Sequence, residues 1–176
     1  MRNICIQSRP RFGGDAGRFT WIKVEGLSLS GLQNACREAM RFAWYDYTPG
    51  DHGDPPWYDW EVVDVEGLGP MLEYTSLPAI AKRDAAIGES GAPAAFFAFI
   101  AHEGGEFAEV SDFKDRYFGE FDSTKAFGAA VAEADGVYDS LPEQFWFYFD
   151  CELYGRCCLM ENYFESDGYY FRRSGC

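Results

Sequence analysis

Lysine and arginine are absent between Phe42 and Ala81, a stretch that holds eight carboxylates. Ordinary surfaces intersperse both signs. Charge this one-sided argues against a routine solvated face, and against contact with nucleic acid or an anionic membrane. Other absences narrow the chemistry. There are only two histidines, His52 and His102, far apart in the chain and outside any zinc-binding spacing. The prolines within 46–58 do not fit a calcium loop. No G-x-S-x-G, phosphate-binding loop or dinucleotide fingerprint occurs. No apolar run approaches the roughly 20 residues of a membrane span. No long apolar region follows Met1-Arg2-Asn3, so no signal peptide is expected. The six cysteines lack C-x-x-C spacing and are expected to be reduced thiols in the cytoplasm.

What is present is a foldable chain. Its 176 residues are 47% hydrophobic and 18% aromatic, too apolar for a disordered acidic tail. Formal net charge is −14. Residues 1–41 carry seven basic groups against three acids, whereas residues 42–176 carry eight against 26. Such a field opposes compaction and favours a basic partner.

The pattern predicts an α+β fold, an elongated chain of three small units with an acidic surface. In the first unit, 1–70, strands are expected at 3–7 and 18–24 around the glycine-rich turn 12–17. A capping box, Ser30-x-x-Gln33, opens a helix to about Ala43. Residues 46–58 form a proline-rich loop and 59–66 a third strand, ended by Gly67, Gly69 and Pro70. The second unit, 71–104, is helical: one helix from Ser76-Leu77-Pro78 to Gly88, another from Pro93 to about His102. The third, 105–176, has a short helix 112–118 capped by Ser111 and another capped by Asp122 or Ser123. Pro142 opens a helix through the aromatics 145–149, and a hairpin over 159–171 turns at Ser166-Asp167-Gly168.

The acids show spacing. Asp59 and Glu61 would share one strand face about 6.6 Å apart. Asp64 and Glu66 repeat the interval with opposite parity, so either a bulge resets the face or both faces are partly wet. Glu103, Glu106, Glu109, Asp112 and Asp115 recur at every third residue. With Asp46, Asp51, Asp54, Glu73, Glu120, Asp122, Asp150 and Glu152, these are the candidate partner-binding carboxylates. Duplex DNA carries one charge per roughly 1.7 Å, so 26 acids equal about 45 Å of duplex. The sequence therefore points to a protein presenting a DNA-like field. No catalytic residue, metal or cofactor is expected.

Four segments in order resemble the ArdA antirestriction family. "DWEVVDVEG" is similar to that family's strand, at Asp59, Trp60, Asp64, Glu66 and Gly67, and "EYTSLPAIAKRDAAIGESG" is similar to the family's next segment. "DRYFGEFDSTKAFG" resembles its Tyr-x-Gly-x-aromatic-x-Ser pattern, at Tyr117, Gly119, Phe121, Ser123 and Phe127. "LPEQFWFYFDCELYGRCCLM" resembles its Pro…Tyr-aliphatic-Asp-x-Glu…Arg segment, at Pro142, Tyr148, Asp150, Glu152 and Arg156. Phe12-Gly13 replaces the usual Tyr-Asn, and Cys157 stands where Asp often follows the Arg. The resemblance implies a non-enzymatic DNA mimic of mobile genetic elements. It would be a homodimer joined through its C-terminal unit, with Trp146, Phe147 and Tyr148 as interface candidates. It would occupy the DNA-binding cleft of type I restriction–modification complexes, at their methyltransferase and specificity core. The residues alone leave a second possibility, an acidic immunity-type inhibitor of another basic nuclease or toxin.

Overall fold

The computed structural model describes residues 1–8, 19–43, 60–69, 75–104 and 108–175. Among them are eight helical segments and two small antiparallel sheets, a mixed α+β fold. Two compact units emerge, Met1–Pro93 and Ala94–Cys176.

In the first unit, β1 (Asn3–Ser8) lies between β2 (Phe19–Lys23) and β3 (Trp60–Glu66). Alternation sends Ile4, Ile6, Ile22 and Val24 to one face, where all are buried. Against that face lie α1 (Leu29–Ala43), with Leu32 and Cys36 buried, and α2 (Leu77–Ser90), with Ile80 and Ile87 buried. The cap of α1 is Ser28 rather than Ser30, because the Ser28 hydroxyl accepts from the Gly31 N–H. Helix α2 starts as expected, its Ser76 hydroxyl accepting from Ala79 N. It runs past Gly88 to Gly91, whose φ of 72° is the left-handed turn that ends a helix. Arg2 Nε lies 2.6 Å from Asp84 Oδ1, and the Gly26 N–H donates to Asp84 Oδ2. One N-terminal cation is thus consumed internally, tying α2 to the sheet.

In the second unit, β6 (Tyr169–Arg172) runs between β4 (Tyr117–Glu120) and β5 (Tyr163–Ser166). Helices α3 (Pro93–Glu103) and α4 (Val110–Arg116) meet one sheet face through Phe99 and Phe113, which touch Phe171. On the other face, Phe127 of α5 (Thr124–Ala134) stacks on Tyr170 with ring centres 4.3 Å apart. The turn α6 (Val137–Ser140) leads to a 3-10 helix, Glu143–Tyr148, and then to α7 (Cys151–Glu161). Helices α5 and α7 cross at Gly128 and Gly155; a Cβ on Gly155 would stand 2.5 Å from Thr124 O.

Two further expectations need correction, the start and end of α4 and the start of the hairpin. Helix α4 begins at Val110 without Ser111 as its cap, and it yields to β4 at Tyr117. Of the two caps expected for α5, Ser123 is the one used, its hydroxyl accepting from Ala126 N. The aromatic run after Pro142 is helical as expected, in the 3-10 form. The hairpin starts at Tyr163, because α7 occupies 151–161.

Candidate functional site

The parity problem in β3 is resolved by a bulge. Cys5 pairs with Asp64 while Ile6 pairs with Val62, which leaves Val63 as the extra residue. Antiparallel partners share a face. Glu61 therefore joins Gln7, Asp64 joins Cys5 and Glu66 joins Asn3, all on the face opposite the core. Asp64 and Glu66 are exposed and Glu61 is half-buried. The Asn3 amide donates to Glu66, fixing that carboxylate at the sheet end. Cys5 is 4% exposed between these neighbours, and burial together with the Asp64 charge pushes its thiol up. A shallow cavity of about 210 Å³, lined by Trp60, Glu61, Val62, Thr75, Ser76 and Leu77, holds one carboxylate and no histidine. Asp46, Asp51, Asp54, Asp59 and Glu73 lie outside the described residues, as do His52 and Glu106.

The second unit distributes its acids differently. Glu103 and Asp112 both bind Arg116, at 2.6 and 3.1 Å. Arg116 is 7% exposed, its guanidinium lies over Phe99 and Phe164, and its Nε–H donates to Arg172 O. Burial alone would lower the Arg116 pKa, but Glu103 and Asp112 outweigh it and the net shift is upward. Two members of the every-third-residue series thus hold that buried cation, and all four described members, Glu103, Glu109, Asp112 and Asp115, keep exposure to solvent. Glu120 and Asp122 stand exposed at the end of β4 and before α5. Asp150 caps α7, accepting from Leu153 N, and Glu152 pairs with Arg156 one helical turn on.

Several exposed carboxylates escaped the sequence reading: Asp135, Asp139, Glu143, Glu161, Glu165 and Asp167. They lack the regular spacing that drew attention to the others, and only the single-signed charge of the region could have found them. Asp135 accepts a hydrogen bond from the Tyr154 hydroxyl at 2.8 Å. Burial, then that bond, hold the Tyr154 phenol well above its usual range. The Tyr138 hydroxyl contacts Cys151 Sγ at 3.2 Å; that contact and burial push the phenol up to about 12. His102 stacks on Phe164, with ring centres 3.8 Å apart. Among the described residues no three His, Cys, Asp or Glu side chains converge as metal ligands.

The 3-10 segment is not its unit's core. Phe147 is 92% exposed and Tyr148 78%, with Phe145 and Trp146 about half exposed. Trp146 is nonetheless anchored, its indole N–H donating to the carbonyls of Tyr138 and Leu141.

These features define a mixed α+β protein of net charge −14 whose described residues include many exposed carboxylates and a run of exposed aromatics at 145–148. The antirestriction protein (ArdA) family model matches residues 20–172. The chain belongs to the ArdA antirestriction family. No individually curated protein matches it at a significant level. The matched range leaves out β1, the central strand of the first sheet. Among the described residues no helix is long and apolar enough to cross a membrane.

Proposed function

We propose that the chain blocks type I restriction–modification enzymes by entering their DNA-binding site as a DNA mimic, without bond chemistry. The observation that carries this reading is the one-signed charge from Phe42 to Ala81, which continues in the exposed carboxylates of both units. The bulge in β3 supports it, because it turns Glu61, Asp64 and Glu66 onto one face. The internal ion pairs of Arg2, Arg116 and Arg156 support it too: each places a cation beside the chain's own acids. The phosphate-like set is then Asp64, Glu66, Glu109, Asp115, Glu120 and Asp122 in the described residues. Glu103 and Asp112 contribute less because Arg116 offsets half of their combined charge.

The test is competition with duplex DNA for the methyltransferase and specificity core. A chain that meets about six cationic positions should lose on the order of 10³-fold in affinity between about 50 and 200 mM salt. An affinity unchanged across that range refutes mimicry. Reversing Asp115 alone should change little, whereas reversing about six acids together should abolish competition. One or two dominant acids in an alanine scan would instead favour an immunity-type inhibitor.

The proposal includes a homodimer through Phe147, Tyr148 and their neighbours. Exposed aromatics of this size are enriched in interface cores.

A further inference from the structure

The outer face of the first sheet carries more than charge. Strand β2 presents Phe19 and Trp21 there, 62% and 53% exposed. Their partners across β1 are Gln7 and Cys5, which pair in turn with Glu61 and Asp64 of β3. Each of these two rows therefore runs from an aromatic ring on β2 to a carboxylate on β3. The two outer strands are about 9.6 Å apart, twice the spacing between neighbours. The third row runs from Lys23 through Asn3 to Glu66. Lys23 faces Glu25 at 3.8 Å, and Asn3 donates to Glu66. Imitating phosphates requires no aromatic side chain, and a tryptophan left in water gains nothing from burial. The row through Trp21, Cys5 and Asp64 has the chemistry of a cation platform: a ring face for stacking and a negative charge on the far side of the same face.

We propose that this face docks an arginine-bearing segment of the protein partner, with a guanidinium lying on Trp21 and its charge directed at Asp64. Phe19 extends the platform by one row. Arginine is specified over lysine because its planar, weakly hydrated head stacks on a ring, whereas an ammonium is a strongly hydrated point charge. The identity of the partner rests on the DNA-mimic reading; the arginine chemistry does not. Duplex DNA offers no such platform on its backbone. The contact would add an affinity that salt does not erase, and one that the DNA itself lacks.

The experiment titrates the full chain with two labelled peptides, ten arginines and ten lysines. The expected result is an arginine preference of about three- to fivefold, the scale of an exposed cation–π contact. It should vanish in Trp21→Ala and survive in Trp21→Phe. Equal binding of the two peptides to the unaltered chain overturns the proposal, as does an arginine preference that persists in Trp21→Ala. A second arm measures the methyltransferase core, where Trp21→Ala should weaken binding by a similar factor at low and high salt. A factor near one in this arm also overturns it. If the unaltered chain fails to compete with DNA at all, the mimic reading falls. The peptide arm then still decides the arginine platform.

Discussion

Replacing Gly155 with alanine tests the close crossing of α5 and α7. A Cβ there would lie 2.5 Å from Thr124 O and 3.1 Å from Gly128 Cα. Even close C–H···O contacts keep carbon and oxygen about 3.3 Å apart, so the oxygen must retreat by roughly 0.8 Å. The obstacle is backbone, so no rotamer change relieves it. Helix α7 must lift from α5, loosening Phe127, Val131 and Cys158, which pack with Tyr163 and Tyr170. Overpacking costs about 1–3 kcal/mol, and a backbone clash belongs at the upper end. Alanine returns about 1 kcal/mol of helix propensity. The expected net loss is about 2 kcal/mol, a fall of about 1 M in urea midpoint by circular dichroism. Gly88→Ala is the control. Gly88 lies within α2 with nothing within 4 Å of its added Cβ, so the change should stabilise by about 0.5–1 kcal/mol. A Gly155→Ala protein that gains stability as Gly88→Ala does would refute the close crossing.

Arg116→Ala should destabilise by about 2–4 kcal/mol, less than for a fully buried pair because Glu103 and Asp112 are partly wet. A urea midpoint equal to that of the unaltered chain would show that the guanidinium holds nothing together. Cys36 is fully buried, and burial raises its thiol from 9.0 to about 11. Its contribution is complete below pH 9.0 and is lost as pH rises through about 11, where only the unfolded chain ionises easily. Alkaline denaturation of Cys36→Ala should therefore show a shallower decline over that window; parallel curves would refute it. Phe147→Asp should give a monomeric mass by light scattering at micromolar concentration, against a dimeric one for the unaltered chain. A mass unchanged by the substitution would place the dimer contact elsewhere.

The element types of the first unit were largely legible, because its sheet has one buried face and one open one. Ile4, Ile6 and Ile22 alternate with Asn3, Cys5, Trp21 and Lys23, and period-2 patterning shows in the sequence. The second sheet is covered on both faces. Tyr163 and Phe164 are consecutive and both buried, as are Tyr170 and Phe171, so no alternation survives to mark the strand ends. Strand β4 was hidden for another reason: its four residues follow α4 directly, with no glycine or proline between them. Of the candidate site, the wealth of acid was plain, but the roles of individual acids were not. Glu103 and Asp112 look like their neighbours in sequence, and only folding brings Arg116 between them. The aromatics at Phe19 and Trp21 resembled ordinary strand residues, since alternation does not say which face receives a covering layer.

The bulge at Val63 also bears on how long this strand has to be. With Val63 removed, the strand reads Trp60-Glu61-Val62-Asp64-Val65-Glu66, a regular alternation that needs no irregularity. The same three carboxylates would then face outward and the same residues inward. A family member one residue shorter at this point would thus present the same face to its partner. An insertion or deletion between Asp64 and Glu66, where the spacing is already two, would instead turn a carboxylate toward Ile4 and Ile6. A one-residue change in length is therefore harmless between Glu61 and Asp64 and damaging between Asp64 and Glu66.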